Sequence, residues 1–279
     1  MIHIKSEREL AIMRKSGQLV ASILQQVCLN AGPGVPLIEL DTLAEKLTRD
    51  AGAIPAFKGY LGYRHSLCTS VNAHVVHGIP SKRALKDGDI VGFDFGLVLD
   101  GFYGDSAVTI GIGEISSEAK QLLQVTKDSL YAGIDASRSG NTLKDVARAI
   151  ESVVNQHGYG IVREFVGHGI GRRLHEDPQI PNYAAGASNL ALKRGMTIAI
   201  EPMINLGTAD VKVLADKWTA ETKDGKLSAH FEHSLAITDG DPEILTYWHA
   251  DTDPGMHKKL GNLQTYGQRG ANPGGISHV

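Results

Sequence analysis

The chain has 279 residues, of which 42% are hydrophobic and 21% charged, and its formal net charge is −3 at pH 7. This mild acidity gives no electrostatic reason to expect a nucleic acid or an anionic membrane as a partner. No stretch approaches the roughly 18 apolar residues of a membrane span, and the first residues lack the apolar core of a secretory signal. Two cysteines, Cys28 and Cys68, suit a reducing compartment, so we expect a cytoplasmic protein. The length of the chain favours one large α/β domain.

The first half of the sequence begins with two helices. Ser6 and Glu9 form a capping box, and apolar residues then recur at helical spacing until Gly32 ends the run. A second helix is predicted over residues 39–50. Strands are predicted around residues 67–71, 89–99 and 102–110. The last two are joined by Asp100-Gly101, a dipeptide typical of a two-residue hairpin turn.

The second half repeats this order. Helices are predicted over residues 118–134 and 143–156, and strands around residues 161–165, 196–204, 211–218 and 227–238. At a constant offset of 106, Gly34, Leu37, Glu39, Leu40 and Gly52 match Gly140, Leu143, Asp145, Val146 and Gly158. So short a match is also compatible with chance, because helix starts look alike. If the duplication is real, two similar halves face each other and share a site.

The end of the chain has a different character. From about residue 250 it is rich in Asp, Gly, Pro, His and Lys and has little periodicity. This predicts a folded domain over residues 1–249 and an extended or mobile tail over residues 250–279.

Two aspartates flank the predicted hairpin turn. If Asp100 and Gly101 form the loop, Gly96 lies opposite Asp105. Asp94 is then a diagonal neighbour on the same face, at about 7–8 Å. Two carboxylates in such apolar surroundings repel each other unless a cation lies between them. The alternative is a strand face that meets solvent, with both aspartates hydrated, and this pair alone does not decide.

Three further residues complete a candidate metal site. His168 lies in a glycine-rich segment that also carries His175, Glu201 ends an apolar strand, and Glu232 lies inside another strand. Taken singly, the histidine is more often structural and Glu201 a surface residue. Together with the two aspartates they form an oxygen-rich set with one imidazole. Such a set suits a pair of first-row divalent ions about 3.5–4 Å apart rather than a thiolate-bound structural zinc.

These segments carry a family resemblance. Residues 165–183 with the Gly167–Gly171 core, residues 76–80, Glu201-Pro202 and residues 231–233 resemble the motifs of type I methionine aminopeptidases of peptidase family M24. The similarity runs from near the N-terminus to about Thr246. It implies a monomer with the α/β (α+β) pita-bread fold. In that fold two pseudo-symmetric halves build a central curved antiparallel sheet with helices on its outer face, here in a catalytic domain over residues 1–249.

The resemblance also implies a chemistry: hydrolytic removal of the N-terminal methionine from nascent proteins and peptides whose second residue is small and uncharged. Two divalent ions (cobalt, manganese, iron(II) or zinc) are expected. Asp105 and Glu232 would bridge them, His168 and Glu201 would serve one ion, and Asp94 the other. Glu201 would also relay a proton, His175 would stabilise the oxyanion, and His77 would contact the amide around the scissile bond.

The residues expected to line the methionine pocket are Phe57, Tyr60, Tyr63, Cys68, Leu174 and Trp218. Ordinary core packing is the alternative interpretation of these residues, chiefly of Phe57 and Leu174. Both also depart from the family pattern, in which some relatives carry a cysteine and a phenylalanine. His74 lies in a segment that differs from the family, and the sequence suggests no role for it.

Two other functions are compatible with the same motifs. One is a proline-specific aminopeptidase or prolidase of the same fold, although those relatives carry a sizeable extra N-terminal domain. The other is a non-catalytic relative that uses the fold to bind a partner, which would leave the complete ligand set unexplained. Nascent polypeptides are the expected partners, with transient ribosome contact, although no Cys/His zinc-binding extension that would serve such contact precedes the domain.

Overall fold

The computed structural model of the protein describes residues 2–248. Four α-helices lie in this range: α1 (Glu7–Asn30), α2 (Leu37–Asp50), α3 (Ser117–Ala136) and α4 (Leu143–Asn155), and a single 3₁₀ turn spans Tyr60–Gly62. None of these helices is both long and apolar enough to cross a membrane. The four predicted helices are therefore confirmed, each within two residues of its expected ends.

The helix starts follow from local sequence. At the start of α1 the Ser6 hydroxyl accepts a hydrogen bond from the Glu9 amide, and the Glu9 carboxylate accepts one from the Ser6 amide at 2.9 Å. The same reciprocal arrangement joins Thr142 and Asp145 at the start of α4. Each pair satisfies amides that have no partner within the helix.

The described range contains fifteen β-strands of different lengths. Those of the first half are β1 (Ile54–Pro55), β2 (Leu67–Val71), β3 (His74–Val76), β4 (Ile90–Leu99) and β5 (Phe102–Gly111). Those of the second half are β6 (Gly160–Ile161), β7 (Gly167–Gly169), β8 (Glu176–Ile180), β9 (Thr197–Ile200), β10 (Met203–Asn205), β11 (Val211–Val213), β12 (Ala220–Thr222), β13 (Ser228–His230), β14 (Glu232–Ala236) and β15 (Glu243–Ile244).

Among the described residues, nine of these strands form one antiparallel sheet in the order β1-β4-β5-β14-β9-β7-β8, with β2 paired to β4 and β15 to β14. The two-residue period of a strand separates its faces. On β4, Phe93 and Phe95 join the apolar core formed with α1 to α4, whereas Asp94 projects to the opposite face. The sheet therefore has one face covered by helices and another that carries the polar residues.

Two of the predicted strands are interrupted where the site residues lie. The strand predicted over residues 196–204 is divided into β9 and β10 by Glu201-Pro202, because proline has no amide hydrogen for the ladder. The strand predicted over residues 227–238 is divided into β13 and β14 at Phe231, whose amide bonds to the carbonyl of Pro202. β9 and β14 belong to the main sheet, and β10 and β13 to a separate three-stranded sheet.

Two other strand predictions were too long, and some strands were missed. The strand predicted over residues 211–218 ends at Val213, because the Asp216 carboxylate accepts the amides of Trp218 and Thr219 and turns the chain. The strand predicted over residues 161–165 ends at Ile161. Six further strands, β1, β3, β7, β8, β12 and β15, were not predicted from the sequence.

The offset of 106 residues reappears in the backbone. The amides of Gly34 and Leu37 bond to the carbonyls of Leu85 and Arg83, and the amides of Gly140 and Leu143 bond in the same way to those of Leu192 and Leu190. Gly52 and Gly158, which also match, both have positive φ. These shared contacts support the internal duplication. The predicted tail, residues 250–279, lies outside the described residues.

Candidate metal centre

One cavity of about 160 Å³ opens on the polar face of the main sheet. It is lined by all thirteen site residues predicted from the sequence: Phe57, Tyr60, Tyr63, Cys68, His77, Asp94, Asp105, His168, Leu174, His175, Glu201, Trp218 and Glu232. Leu61, which the sequence analysis did not select, lines it as well. Residues spread over 176 positions of the chain are thus brought to a single site.

The hairpin places its two aspartates as predicted. Gly96 pairs with Asp105 across β4 and β5, so Asp94 is the diagonal neighbour of Asp105 on the same face. Ala107 pairs with Asp94 on one side and with Glu232 of β14 on the other. The small side chain of Ala107 leaves room between three converging carboxylates.

The imidazole of His168 faces these carboxylates. Its Nε2 lies 4.0 Å from Asp105 Oδ2 and 3.6 Å from Glu201 Oε1. On the other side of the ring Nδ1 lies 2.9 Å from the carbonyl oxygen of Gly169. Since a carbonyl only accepts, Nδ1 carries the hydrogen and the lone pair of Nε2 points toward the acids.

Burial dominates the electrostatics of the cluster. It raises the pKa of Asp94 to about 7. Burial and the neighbouring carboxylates also raise the pKa values of Asp105, Glu201 and Glu232 well above their ordinary range. For His168, burial and then His175 lower the pKa to about 3, so its imidazole is neutral. Four acids and a neutral histidine in one buried site suit a cation, which would restore the charged state of the acids.

The donor set fits divalent metal ions. One ligand atom from each of Asp105, His168 and Glu232 lies within 4.8 Å of the others. Buried Oδ1 atoms of Asp94 and Asp105 have no hydrogen-bond partner in the structure, which is costly unless a cation binds them. Carboxylate oxygens and one imidazole, with no thiolate among the described ligands, match first-row divalent ions.

Two further histidines border the cluster. His175 lies edge-on to His168 with ring centroids 4.4 Å apart, and its Nδ1 is 2.7 Å from the Tyr60 hydroxyl. His77, in a left-handed conformation with φ 59°, packs edge-on against Phe165 at 5.3 Å. Burial and the proximity of His175 lower the pKa of His77 to about 4, so its imidazole is neutral at pH 7. The contact with Phe165 holds the ring in its orientation.

The remaining walls of the cavity are apolar. Tyr63, Cys68 and Leu174 are buried there in one cluster with Phe57, and Trp218 packs against it. The Tyr63 ring meets Trp218 edge-on at 5.0 Å, and its hydroxyl donates to the carbonyl of Leu67 at 3.0 Å. Because the Tyr63 hydroxyl already donates to a backbone carbonyl, Tyr63 presents its ring and not a polar group to the cavity.

One polar residue near the site was not predicted. His230 is buried, and its Nε2 lies 3.7 Å from Glu201 Oε2. His230 lies two residues before Glu232, so a continuous strand over residues 227–238 would place both side chains on the same face. This spacing was the signal in the sequence that could have identified His230. His74, by contrast, lies away from the cavity, opposite Glu221 across β3 and β12.

The chain is similar to known metallopeptidases along most of its length. The model of metallopeptidase family M24 matches residues 11–239. Methionine aminopeptidase 1 of Bacillus subtilis is 50% identical over 246 residues, which are 88% of this chain and 99% of that protein. The crystal structure of methionine aminopeptidase from Thermotoga maritima superposes with a TM-score of 0.86 at 45% identity, covering 88% of this chain and 99% of that one.

The prolidase relationship is more distant. The crystal structure of the prolidase from Pyrococcus horikoshii superposes with a TM-score of 0.72 at 22% identity, and the match covers 64% of its chain. This likeness shows the fold alone. The expected pita-bread fold is confirmed, and the family together with the buried carboxylate–histidine group indicates that the enzyme depends on a divalent metal. The chain therefore belongs to the methionine aminopeptidases of metallopeptidase family M24.

Proposed function

We propose that this enzyme removes the N-terminal methionine from nascent polypeptides and peptides in the cytoplasm as a monomer, using two divalent metal ions. The observation that carries the proposal is one cavity in which a buried acid–histidine cluster meets an apolar wall. The cluster suits hydrolysis of an amide bond. The wall suits an unbranched apolar side chain with a soft thioether sulfur.

In this proposal Asp105 and Glu232 would serve both ions, His168 and Glu201 would serve one, and Asp94 would serve the other. When bound, such ions make hydroxide available from water near neutral pH and polarise the scissile carbonyl. The identity of the ions, among cobalt, manganese, iron(II) and zinc, depends on cellular supply as well as on the ligands.

The neighbouring side chains supply proton transfer and orientation. We assign the proton relay to Glu201, a carboxylate that lines the cavity beside His168 and could exchange a proton with the attacking water. The Tyr60 hydroxyl lies 2.7 Å from Nδ1 of His175. We assign the hydroxyl as the donor of this hydrogen bond, which leaves a hydrogen on Nε2 to stabilise the developing oxyanion. His77, kept neutral by burial, donates to the amide around the scissile bond.

The substrate preference follows from the enclosed end of the cavity. Cys68, Leu174 and Trp218, with the rings of Phe57, Tyr60 and Tyr63, form the methionine pocket. A peptide can enter this closed space only with its free end, so cleavage is limited to the first residue. His77 and His175 lie where the chain leaves the pocket, and a large or charged second side chain would be crowded there.

The proposal is tested by mass-spectrometric detection of cleavage. Metal-stripped protein is reloaded with manganese, iron(II) or cobalt and given Met-Ala-Ser, Leu-Ala-Ser and Ala-Pro-Ser peptides. We expect methionine release from the first peptide alone and only with metal. Cleavage of the proline peptide alone would indicate a prolidase, and no cleavage with any ion would indicate a binding role.

A matched variant tests the assigned roles. Glu201→Gln keeps the shape of the side chain and removes its proton relay, and Glu201→Ala removes both. We expect turnover to fall by at least about 100-fold in each, the size of a general acid–base contribution. Circular dichroism checks that the fold survives. Wild-type turnover at controlled metal content in either variant would contradict the assignment.

A further inference from the structure

Leu61 combines two properties that rarely occur together in an apolar residue. It lines the cavity, and its side chain is 81% exposed to solvent, the largest value among the exposed large hydrophobic residues of the described range. A residue with both properties lies at the mouth of the cavity. Ile54 and Val213, 63% and 57% exposed, do not line it.

The backbone holds Leu61 in this position. Its φ of 48° and ψ of 22° are left-handed, a conformation that disfavours a side chain, and Gly59 and Gly62 on either side also have positive φ. The Gly59 amide bonds to the Tyr63 carbonyl at 2.7 Å, which closes the turn. The turn therefore presents a large apolar side chain to solvent where glycine or asparagine would fit with less strain.

The neighbouring residue connects this turn to the chemistry. Tyr60 contacts His175 through its hydroxyl, and Leu61 follows it on the solvent side. The rest of the inference depends on the proposed function. With the N-terminal methionine at the closed end and the second residue beside His175, an extended peptide advances about 3.3 Å per residue toward the mouth. The third residue is then the first whose side chain reaches Leu61.

We propose that Leu61 is a specificity-determining residue that contacts the side chain of the third substrate residue, so that the enzyme favours substrates with a large apolar residue at that position. The contact removes apolar surface of both partners from water. Because the turn already holds Leu61 in place, its backbone loses little further freedom when the substrate binds.

The test compares kcat/KM for the peptides Met-Ala-Leu-Ser and Met-Ala-Ser-Leu, which share composition and differ in the position of leucine. We expect wild-type enzyme to prefer the first by about 3- to 10-fold, as expected for burying some tens of Å² of apolar surface. The difference should lie mainly in KM. Leu61→Ser should bring the ratio close to one.

Val213→Ser is the matched control, since it replaces another exposed apolar side chain away from the cavity. It should keep the wild-type ratio. Equal kcat/KM values for the two peptides in the wild type, or a preference that survives Leu61→Ser, would overturn the inference while leaving methionine removal intact. If neither peptide is cleaved by metal-loaded wild-type enzyme, the proposed function itself fails.

Discussion

The ammonium group of Lys5 and the carboxylate of Glu176, 171 residues apart in the chain, form an ion pair at 2.5 Å beside the loop that carries His175. Their side chains are only 2% and 7% exposed. The other oxygen of Glu176 accepts the backbone amides of Arg172 and Arg173. The N-terminal segment thus fastens the loop between the two cavity histidines to the rest of the domain.

Replacing Lys5 should destabilise the protein. Lys5→Met leaves the Glu176 carboxylate buried without its cation, and removing one partner of a buried pair costs about 3–5 kcal/mol. We expect the free energy of unfolding, measured by urea denaturation, to fall by about this amount. The double variant Lys5→Met/Glu176→Gln should recover part of the loss, because it leaves no buried charge. A single variant as stable as the wild type would show that the pair contributes nothing.

Metal binding should depend on Asp105. Asp105→Asn removes a charge from the acid cluster with little change of shape, and we expect calorimetric affinity for manganese to fall by more than about 100-fold, beyond the usual effect of an outer-shell partner. Asp100→Asn is the matched control, since Asp100 is exposed in the hairpin turn with φ 49°, a conformation that asparagine tolerates. Equal affinity in the two variants would remove Asp105 from the ligand set.

The stability of metal-stripped protein should fall as pH rises above about 6.5. In that range histidines are neutral in the folded and the unfolded chain, whereas carboxyl groups of the unfolded chain are already ionised. Burial raises the pKa of Asp94 to about 7, and burial with the neighbouring carboxylates raises those of Asp105, Glu201 and Glu232 well above their ordinary range, so the folded state holds more protons than the unfolded chain. The free energy of unfolding then decreases with pH until these groups ionise.

Urea denaturation of the metal-stripped enzyme at pH 6.5 and 8.5 measures this effect. We expect a lower midpoint at pH 8.5, restored by manganese because the ion binds the folded state. Below about pH 6.5 this slope should become shallower, since burial lowers the pKa values of His77, His168 and His230 and their protonation favours the unfolded chain. Asp94→Asn should reduce the decrease of the free energy of unfolding between pH 6.5 and 8.5. An unchanged decrease would show that Asp94 does not contribute to this pH dependence.

Leu174→Ala should weaken substrate binding more than turnover. Leu174 is buried in the apolar wall, and a lost contact of this kind is worth about 1–3 kcal/mol, so KM for Met-Ala-Ser should rise by about tenfold or more. Leu192→Ala is the control: it empties a comparable core position away from the cavity, and should lower stability without changing KM. A fall in kcat at constant KM would place Leu174 outside the pocket.

Much of the site was predictable because its geometry follows from local rules. A two-residue turn at Asp100-Gly101 fixes the register of β4 and β5, and with it the face shared by Asp94 and Asp105. Glu201 was identified by its place at the end of an apolar strand. The capping box of α1 likewise depends on residues three apart, and the structure has it as predicted.

What was missed depends on contacts that are distant in sequence. β7 and β8 are short and polar or glycine-rich, so they show no strand periodicity, and they pair only because the main sheet offers β9 as a neighbour. The Lys5–Glu176 pair joins residues 171 positions apart. Leu61 was overlooked because nothing in its local sequence indicates that an apolar side chain would be left at a cavity mouth.

The position of β14 has a consequence for how the protein reaches its active form. This strand is among the last of the described strands, yet it lies between β5 and β9 and so joins the sheets of the two halves. Until residues 232–236 have been synthesised and inserted, β5 and β9 are both open edges, and Glu232 is missing from the acid cluster. We therefore expect high metal affinity to appear late in folding, once β14 has joined the sheet. Metal uptake would then indicate that the domain is completely folded.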